Sequence, residues 1–515
     1  MRFSSLVSRC RIKRALSTRP PSPPPSPPPS HSNSNYFSYK HNHKPFPARL
    51  YEALRLKHFT SQEFNETFDK MDSNMDGKLD PIEIANFLGP ELTKELYSHL
   101  LILPHAEIQR EKFITSIESM AKQIDQRVWN ISFSMLLNGT AVGMVVPVLP
   151  MLVSQISTGT HPAGSFGLVI GAFALTKIFS NIPSAILADG FGRKPVLTGG
   201  LGLTALGTGA IAFSQTFPEL LLARLVVGCG VAAFTTASTL YLADVSNPLN
   251  RSSSLAPVLS AFSIGSACGP AMGGVLADLL GVNACFAVTG GCFTFMALFN
   301  HLTLTETSKF QARNMGSAAL DAVKSWAPIL QNQRLRSIFL INGVFCISMS
   351  GAQTTLLPLI LSVDKGYSAS EMGMVFASLA TVYAVGSPAA GRLADRYGHV
   401  KCIAGACSLV TLGLGIFPHH LYPALGLWAV GGTFLGMSPN AYVTDQTSNR
   451  NRSQALALMR TIGDVGLLVG AAGSGLVADA VGFERAMEIN AGLLGISTLW
   501  FLVSSSSRCS RLTRK

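Results

Sequence analysis

LADGFGRK, at residues 187–194, recurs as LADRYGHV at residues 393–400, a shift of 206 residues counted from Asp189 to Asp395. A second set of residues recurs with a shift of 201 and keeps its register across two apolar segments and the loop between them. Its members are Tyr241, Asp244, Arg251, Gly265, Gly269, Gly274, Asp278 and Gly281, which reappear as Tyr442, Asp445, Arg452, Gly466, Gly470, Gly475, Asp479 and Gly482. Chance similarity between glycine-rich helices would not hold this register, so the chain contains an internal duplication.

Apolar stretches surround both copies, each long enough to cross about 30 Å of hydrocarbon as a helix of about 20 residues. Only 13% of the residues are charged, whereas soluble domains average about 25%. We place the stretches near 128–153, 166–188, 195–214, 220–243, 254–277, 282–304, 337–363, 372–391, 402–418, 421–444, 454–478 and 486–506. The sequence therefore predicts an all-α, polytopic membrane protein of about twelve transmembrane helices in two six-helix parallel repeats.

Basic residues fall in alternate connections between the predicted spans. Two of the opposite connections, STGTHPAG at 157–164 and PHHLYP at 418–423, contain no Lys or Arg. By the positive-inside rule, both termini face the cytoplasm or its topological equivalent. The basic connections are Arg193 and Lys194, Arg251, residues 309–336, residues 392–401, Arg450 and Arg452, and residues 508–515.

A different kind of motif precedes the spans: DSNMDGKLDPIE at residues 72–83. It matches the EF-hand pattern D-x-[DN]-x-[DN]-G-x5-E in full, with Gly77 at the sharp turn. The oxygen ligands that Ca²⁺ prefers would come from Asp72, Asn74, Asp76, the carbonyl of Lys78, Asp80 through a water, and a bidentate Glu83. The sequence predicts a calcium site, and the alternative is an acidic polar turn between two helices.

A second helix-loop-helix is predicted at residues 92–117, where Ile108 matches Leu79 as the residue that pairs the two loops. Leu101, Leu103 and His105 stand at its first liganding positions, and Lys112 replaces the closing Glu. Because this loop lacks ligands, it is expected to be a structural partner, and we expect one calcium ion per chain.

Residues 128–506 resemble the major facilitator superfamily through three motifs. ILADGFGRKPVL resembles the family's loop after the second span, with matches at Asp189, Gly192, Arg193 and Lys194 and a departure at Ala185. ARLVVGCG at 223–230 resembles the fourth-span motif and places Arg224 in the membrane. GSACGPAMGG resembles the fifth-span signature of antiporters, with matches at Gly265, Gly269, Pro270, Gly273 and Gly274.

The resemblance implies a secondary transporter whose two halves rock against each other. Within the superfamily the chain looks closest to the tetracycline and multidrug proton antiporters, and the sugar-carrier signature after the sixth span is absent. The resemblance also implies that Asp189 and Asp395 contact the N-terminal end of a helix in the opposite half when the transporter is open outward. His399 and Val400 replace the basic pair in the second copy, so Asp395 is the more readily read as a solvated loop carboxylate.

Four charged residues lie well inside the spans, away from their ends, where each costs at least about 2.5 kcal/mol unless it is compensated: Lys177, Arg224, Arg460 and Asp464. Arg460 and Asp464 are four residues apart, so they can neutralise each other on one helix face, as a structural or a functional pair. Lys177 has no local partner, which indicates a charge facing the bore or a pairing across helices.

The first span contains no Asp or Glu, and Asn138 is its nearest polar candidate. A proton used as the coupling ion would therefore need Asp464. The excess of positive charge in the bore favours an anionic or weakly acidic solute, although Arg224 could instead tune a proton carrier.

The chain begins with an Arg-rich, Ser-rich stretch in which no acidic residue precedes Glu52, followed by PPSPPPSPPP at 20–29. This composition is typical of an organellar transit peptide, for the mitochondrial inner membrane or the plastid envelope; the alternative is a basic tail on anionic lipid. The predicted organisation is therefore a leader at 1–50, an EF-hand pair at 51–122, six-helix halves at 123–305 and 336–507, a connector at 306–335, and a basic tail at 508–515.

We expect a transporter of a small organic solute, by antiport, with calcium setting its rate. A uniporter without ion coupling and a non-transporting receptor of the same fold are the alternatives. No nucleophile and base arrangement or metal-binding cysteine spacing is present, and the basic charge is confined to the leader and the membrane edges, so neither an enzyme nor a nucleic-acid partner is expected.

Overall fold

The structure, a computed structural model, describes residues 49–512 except 51–52, 55–60, 101, 123, 157–161, 247–250, 308–323, 325 and 448–451. The predicted leader, apart from its last two residues, lies outside the described residues. So do most of the predicted connector and the loop residues Leu101 and Arg450.

The segment before the first span is a pair of helix-loop-helix units. Its elements are α1 (Ser61–Met71), β1 (Lys78–Leu79), α2 (Pro81–Leu88), α3 (Pro90–Leu100), β2 (Ile108–Gln109) and α4 (Arg110–Lys122). The two short strands pair antiparallel, with Leu79 opposite Ile108, which is the pairing that the sequence predicts. Apolar residues from both units form one core, in which the rings of Phe68 and Phe113 meet edge to face at 5.7 Å.

Six long helices follow in the N-terminal half: α5 (Gln126–Ile156), α6 (Pro162–Phe191), α7 (Arg193–Phe213), α8 (Phe217–Val245), α9 (Arg251–Leu280) and α10 (Val282–Thr303). Between some consecutive helices the chain turns at a glycine with positive φ. This conformation costs glycine little because it lacks a Cβ. Gly192 (φ 108°) separates α6 from α7, and Gly281 (φ 90°) separates α9 from α10.

The C-terminal half repeats this arrangement after a short helix, α11 (Ala327–Gln331). Its first span, α12 (Gln333–Met349), continues through π-helical turns at Ser350–Leu356 and Ile360–Asp364 with Leu357–Leu359 between them. The others are α13 (Ala369–Tyr397), α14 (His399–Ile416), α15 (Leu421–Gln446), α16 (Arg452–Val481) and α17 (Phe483–Leu512). The last helix runs into the predicted basic tail at 508–515.

Eleven of the helices in the described part of the chain are long and apolar enough to cross a membrane. The sequence predicts twelve spans, and the remaining one, α15, is a 26-residue helix at the predicted place. It falls outside the eleven because four glycines, two prolines and polar residues at its C-terminal end lower its hydropathy.

The most extensive packing between the halves comes from two pairs of helices: α6 of the first half packs on α16 of the second, and α9 packs on α13. Large apolar side chains such as Leu206, Phe295 and Leu499 remain exposed on the outside of the bundle, where a bilayer would cover them. We call the side with the basic connections the cytoplasmic side and the other the distal side.

Candidate functional site

An ion pair joins the two halves in the middle of the bundle. Lys177 of α6 donates from Nζ to Oδ1 of Asp464 of α16 at 2.6 Å, and Asn181, one turn further along α6, donates from Nδ2 to the other carboxylate oxygen at 3.0 Å. The side chain of Asp464 is 7% exposed and that of Lys177 is 16% exposed. Of the two options that the sequence leaves open for Lys177, the structure shows the pairing across helices.

The predicted partnership of Arg460 with Asp464 is wrong. Both lie on α16, but Asp464 faces α6 and is bonded there, whereas the side chain of Arg460 is exposed. The physical reason is burial: a buried carboxylate is compensated better by a cation that is also buried than by an exposed one on its own helix. Helical spacing predicts which residues share a face but cannot show that α6 supplies the closer cation.

Arg224 lies within the bundle on α8, as predicted from the fourth-span motif. Its side chain is buried, and Nε and Nη2 have no hydrogen-bond partner within the described residues. Asn138 of α5 is buried too, with an unpartnered Oδ1. A buried guanidinium whose donors are unused is costly, which makes Arg224 a candidate for contact with a negatively charged group.

At the cytoplasmic end of the N-terminal half, Arg193 forms the centre of a polar cluster. Its guanidinium binds Asp189 at 2.6 Å, Asp244 at 3.1 Å and the carbonyl of Ala188 at 2.7 Å. The backbone amides of Arg193 and Lys194, at the start of α7, donate to the carboxylate of Glu306 at 2.8 and 3.1 Å. Glycine is favoured at position 192 because its φ of 108° is one that L side chains rarely adopt, and a Cβ there would also crowd the carboxylate of Glu306. The sequence predicts Asp189 and Arg193 but gives no indication of Glu306.

The second copy of this cluster is weaker. His399 replaces Arg193, and its Nε2 lies 3.4 Å from Asp445 and 3.9 Å from Asp395. The side chain of Asp395 is 77% exposed, in agreement with the prediction that it is the more solvated of the two loop carboxylates. Asp189 and Asp395 are both close to basic groups of their own half in this structure.

The glycine segment of α9 packs against two neighbours. A Cβ on Gly265, Gly269 or Gly273 would collide with the backbone of α5, and one on Gly274 would collide with the carbonyl of Ala369 in α13. Pro270 presents its own carbonyl to Gly373 of α13. This segment therefore lies where a helix of its own half and a helix of the other half both approach it closely, as a seam of small residues allows.

The distal ends of the halves are joined by two carboxylates whose role the sequence analysis misses. Oδ2 of Asp278, at the end of α9, accepts from the amide of Ser370 at 3.0 Å. The carboxylate of Asp479, at the end of α16, accepts from the amides of Ala163 and Gly164 at 3.1 and 2.7 Å. Both aspartates belong to the internal repeat, and each stands three residues before a glycine. This shared spacing is the feature of the sequence from which they could have been predicted.

The loop at 72–83 is organised by hydrogen bonds to its own carboxylates. Asp72 is buried and accepts from the amides of Asp76 at 3.2 Å and Gly77 at 2.9 Å. Asn74 accepts from Asp76, and Asp76 accepts from Lys78 at 2.8 Å. Positive φ angles at Met75 (59°) and Gly77 (80°) turn the chain sharply.

Glu83 closes this loop on the protein itself. Its Oε1 accepts from the hydroxyl of Ser73 at 2.7 Å and from the Ser73 amide at 3.0 Å, and its Oε2 accepts from the amide of Asp80 at 3.1 Å. The bond from the Ser73 hydroxyl, followed by the backbone bonds, lowers the pKa of Glu83. Partial burial, and then the negative charges of Glu107, Glu83 and Asp76, raise the pKa of Asp80.

The donor set of this loop fits a hard divalent cation, because it consists of carboxylate, amide and carbonyl oxygens in one tight turn. Within the described residues no three His, Cys, Asp or Glu side chains converge as a ready metal cluster. In the second loop, Leu103, His105 and Lys112 are exposed, and none of these three side chains carries an oxygen that could bind a cation.

Comparison with known proteins gives a consistent assignment for the helical bundle. The family model described as Major Facilitator Superfamily matches residues 131–356 and 338–511. An uncharacterized transporter of this type from Methanocaldococcus jannaschii is 22% identical over 373 residues, which cover 71% of this chain and 93% of that protein. The multidrug resistance protein MdtG of Proteus mirabilis is 28% identical over 306 residues, covering 57% and 71%.

Solved structures share the architecture. The crystal structure of the human organic anion transporter MFSD10 (TETRAN) is similar with a TM-score of 0.57 and 21% sequence identity. The match covers 74% of this chain and all of that one. At this identity the similarity shows a common fold.

Proposed function

The chain belongs to the major facilitator superfamily, and we propose that it moves a small organic solute across a membrane by alternating access. The observation that carries this proposal is the Lys177–Asp464 pair, which is buried in the middle of the bundle and takes one member from each half. Two halves that rock apart must change such a contact, so the pair lies where solute binding and rocking can be coupled.

The energetics of the pair explain how a solute would act on it. Removing one partner of a buried pair leaves a charge uncompensated and typically costs about 3 to 5 kcal/mol. An anionic group on a solute can take the place of Asp464 against Lys177, and the displaced carboxylate then needs a proton or another cation so that it is not left uncompensated. The bonds of Asn181 and Lys177 to Asp464 hold the carboxylate in place until such a competitor arrives.

The charge balance of the span interiors supports an anionic or weakly acidic solute. In the described interior of the bundle the cations Lys177 and Arg224 outnumber the carboxylate Asp464, and two donors of buried Arg224 have no partner there. The human organic anion transporter MFSD10 (TETRAN) shares the fold of this chain, which agrees with this choice.

Exchange is the transport mode we propose. Its support is the resemblance of residues 265–274 to the antiporter signature, together with the close packing of that segment on both α5 and α13. With a proton as the coupling ion, Asp464 is the group that binds it, since the first span contains no carboxylate.

Flux into reconstituted vesicles tests the proposal. The purified protein in proteoliposomes is given a defined mixture of labelled small mono- and dicarboxylates, with and without an imposed pH gradient and with and without solute inside. We expect uptake that internal solute accelerates and that Asp464→Asn reduces at least about tenfold, because a neutral amide no longer balances Lys177. Arg460→Gln is the matched control on the same helix and is expected to retain most of the flux.

The other outcomes of this experiment separate the alternatives. Uptake that is indifferent to internal solute, to pH and to Asp464→Asn would identify a uniporter. The absence of flux for every carboxylate, with correctly folded protein, would favour a non-transporting receptor of the same fold.

For the loop at 72–83 we propose calcium binding that sets the transport rate. The support is the oxygen donor set of Asp72, Asn74, Asp76, Lys78, Asp80 and Glu83 and the turn that brings them together. Bound calcium supplies a local double positive charge that stabilises one conformation of the two helix-loop-helix units.

Calcium titration by calorimetry, repeated with flux measurements, tests this second proposal. Glu83→Gln is expected to weaken binding at least about tenfold, since it removes the bidentate carboxylate. Glu111→Gln, an exposed substitution in the second unit, is the control. Transport that stays unchanged in Glu83→Gln, despite the loss of binding, would remove the regulatory part and leave the transport proposal intact.

We propose an organellar membrane, of the mitochondrion or the plastid, as the location. The support is the Arg-rich leader without acidic residues before Glu52. A fluorescent fusion of residues 1–60 would show organellar targeting if the proposal holds, and a plasma-membrane or diffuse signal would contradict it.

A further inference from the structure

The two distal contacts between the halves have the same chemistry. In each, an aspartate near the end of a helix in one half accepts from backbone amides in the first turn of a helix in the other half. Asp278 caps α13 at Ser370, and Asp479 caps α6 at Ala163 and Gly164. The first-turn amides of a helix have no partner within the helix, so each carboxylate satisfies donors that would otherwise need water.

The contacts are related by the internal duplication. Asp479 follows Asp278 by the shift of 201 residues, and Ser370 follows Gly164 by the shift of 206. The packing beside the carboxylates repeats as well. A Cβ on Gly274 would collide with the carbonyl of Ala369, and one on Gly475 would collide with the carbonyl of Ala163. The two contacts therefore have equivalent bonded residues and equivalent packing beside them. Together they form one symmetric interface between the halves.

The same local pattern occurs four times among the described residues. An aspartate stands three residues before a glycine with positive φ at the ends of α6, α9, α13 and α16. The pairs are Asp189 with Gly192 (108°), Asp278 with Gly281 (90°), Asp395 with Gly398 (92°) and Asp479 with Gly482 (90°). Two pairs lie on the cytoplasmic side and two on the distal side. Here the distal aspartates reach across the halves, whereas Asp189 and Asp395 lie against Arg193 and His399 of their own half.

We propose that Asp278 and Asp479 are paired latches that hold the distal side closed, and that they release the starts of α13 and α6 when the distal side opens. Each latch is a charge-assisted contact between a carboxylate and the positive end of a helix. Because the bonded atoms belong to different halves, separation of the distal ends breaks both latches together. This inference goes beyond the transport proposal, since it concerns an equilibrium that exists without any solute.

Hydrogen-deuterium exchange of the protein in lipid nanodiscs, without solute, tests the proposal. Asp278→Ala combined with Asp479→Ala is expected to speed amide exchange in the first turns of α6 and α13. The loss of one helix cap typically corresponds to a shift of about fivefold, and two independent caps to about 25-fold. Asp278→Ala alone and Asp479→Ala alone are each expected to speed amide exchange about fivefold. Asp278→Asn with Asp479→Asn is expected to restore slow exchange, because an amide oxygen also accepts at a helix cap.

Glu371→Ala is the matched control. Glu371 is also a carboxylate at the start of α13, but it caps its own helix by accepting from the amide of Ser368 at 2.8 Å. Its loss is expected to speed exchange at the start of α13 only, with no effect at α6.

Gly164→Ala provides an independent variant that keeps both carboxylates. The new Cβ would crowd Oδ2 of Asp479 and is expected to release the α6 latch alone. Unchanged exchange in the double alanine variant, or equal effects of Glu371→Ala at both helices, would overturn the proposal. Because the readout needs no solute, its failure is distinguishable from the failure of transport.

Discussion

The two halves of the bundle share a backbone arrangement, yet they differ at their cytoplasmic ends. In the N-terminal half, Arg193 binds two carboxylates and a carbonyl, and Glu306 caps the start of α7. In the C-terminal half, His399 makes only longer contacts with Asp395 and Asp445. At the distal ends, by contrast, the contacts of the two halves are equivalent. Both copies of the duplicated unit therefore retain the contacts that cross between the halves on the distal side. The strong cytoplasmic cluster is present in the N-terminal half and is weaker in the C-terminal half.

The largest expected effect comes from the buried Lys177–Asp464 ion pair, in which each half supplies one of the two charges. Lys177→Ala leaves Asp464 buried without its cation, which we expect to destabilise the bundle by about 3 to 5 kcal/mol. The double variant Lys177→Ala with Asp464→Ala is expected to recover most of that loss, because no charge then remains unpaired. Thermal unfolding midpoints in detergent would measure both, and a double variant less stable than Lys177→Ala would contradict this account.

A smaller effect is expected from the cytoplasmic clusters, and it should be unequal between the halves. Arg193→Ala removes charge-assisted bonds to Asp189 and Asp244, each worth about 1.5 to 3 kcal/mol when partly buried. His399→Ala, at the matching position, is expected to cost less than about 1 kcal/mol, since its acidic neighbours are exposed. Equal losses of thermal stability in the two variants would show that the halves do not differ as the contacts indicate.

The smallest effect is expected from transferring the first cluster into the second half. His399→Arg places a guanidinium between Asp395 and Asp445, which lie 3.9 and 3.4 Å from His399 now. We expect a gain of about 0.3 to 1 kcal/mol, because both carboxylates are exposed and the pairs are screened. The gain should shrink at high salt. A gain in the unfolding midpoint that is insensitive to salt would point to packing of the longer side chain instead.

The loop at 72–83 and the second helix-loop-helix unit show how much can be predicted from local sequence. The pairing of Leu79 with Ile108 is predictable because both are set by spacing within a short motif, and the structure has it. The position of Glu83 is not predictable in the same way. Its carboxylate accepts from Ser73 and Asp80, since in this structure the loop amides and hydroxyl are the available donors. Calcium binding by these residues stays a prediction.

The charged residues in the spans show the opposite case. Their cost in a membrane makes Lys177, Arg224 and Asp464 conspicuous in the sequence, but the cost does not show which of them pair. Arg460 is near Asp464 along the helix, so helical spacing favoured Arg460 as the partner of Asp464. The structure instead places Lys177 against Asp464 across 287 residues of sequence, a contact that depends on how α6 packs on α16.

By itself, the sequence determined the helical spans, the duplication and the family resemblance, and it predicts the orientation of the spans. These follow from properties that each segment carries alone: hydropathy, the placement of Lys and Arg, and glycines that must turn the chain. Only the tertiary structure decided that Asp464 binds Lys177 and that Asp278 and Asp479 cap helices of the opposite half. The physical reason is that a buried charge or an open helix end needs a partner, and its identity depends on which helices meet.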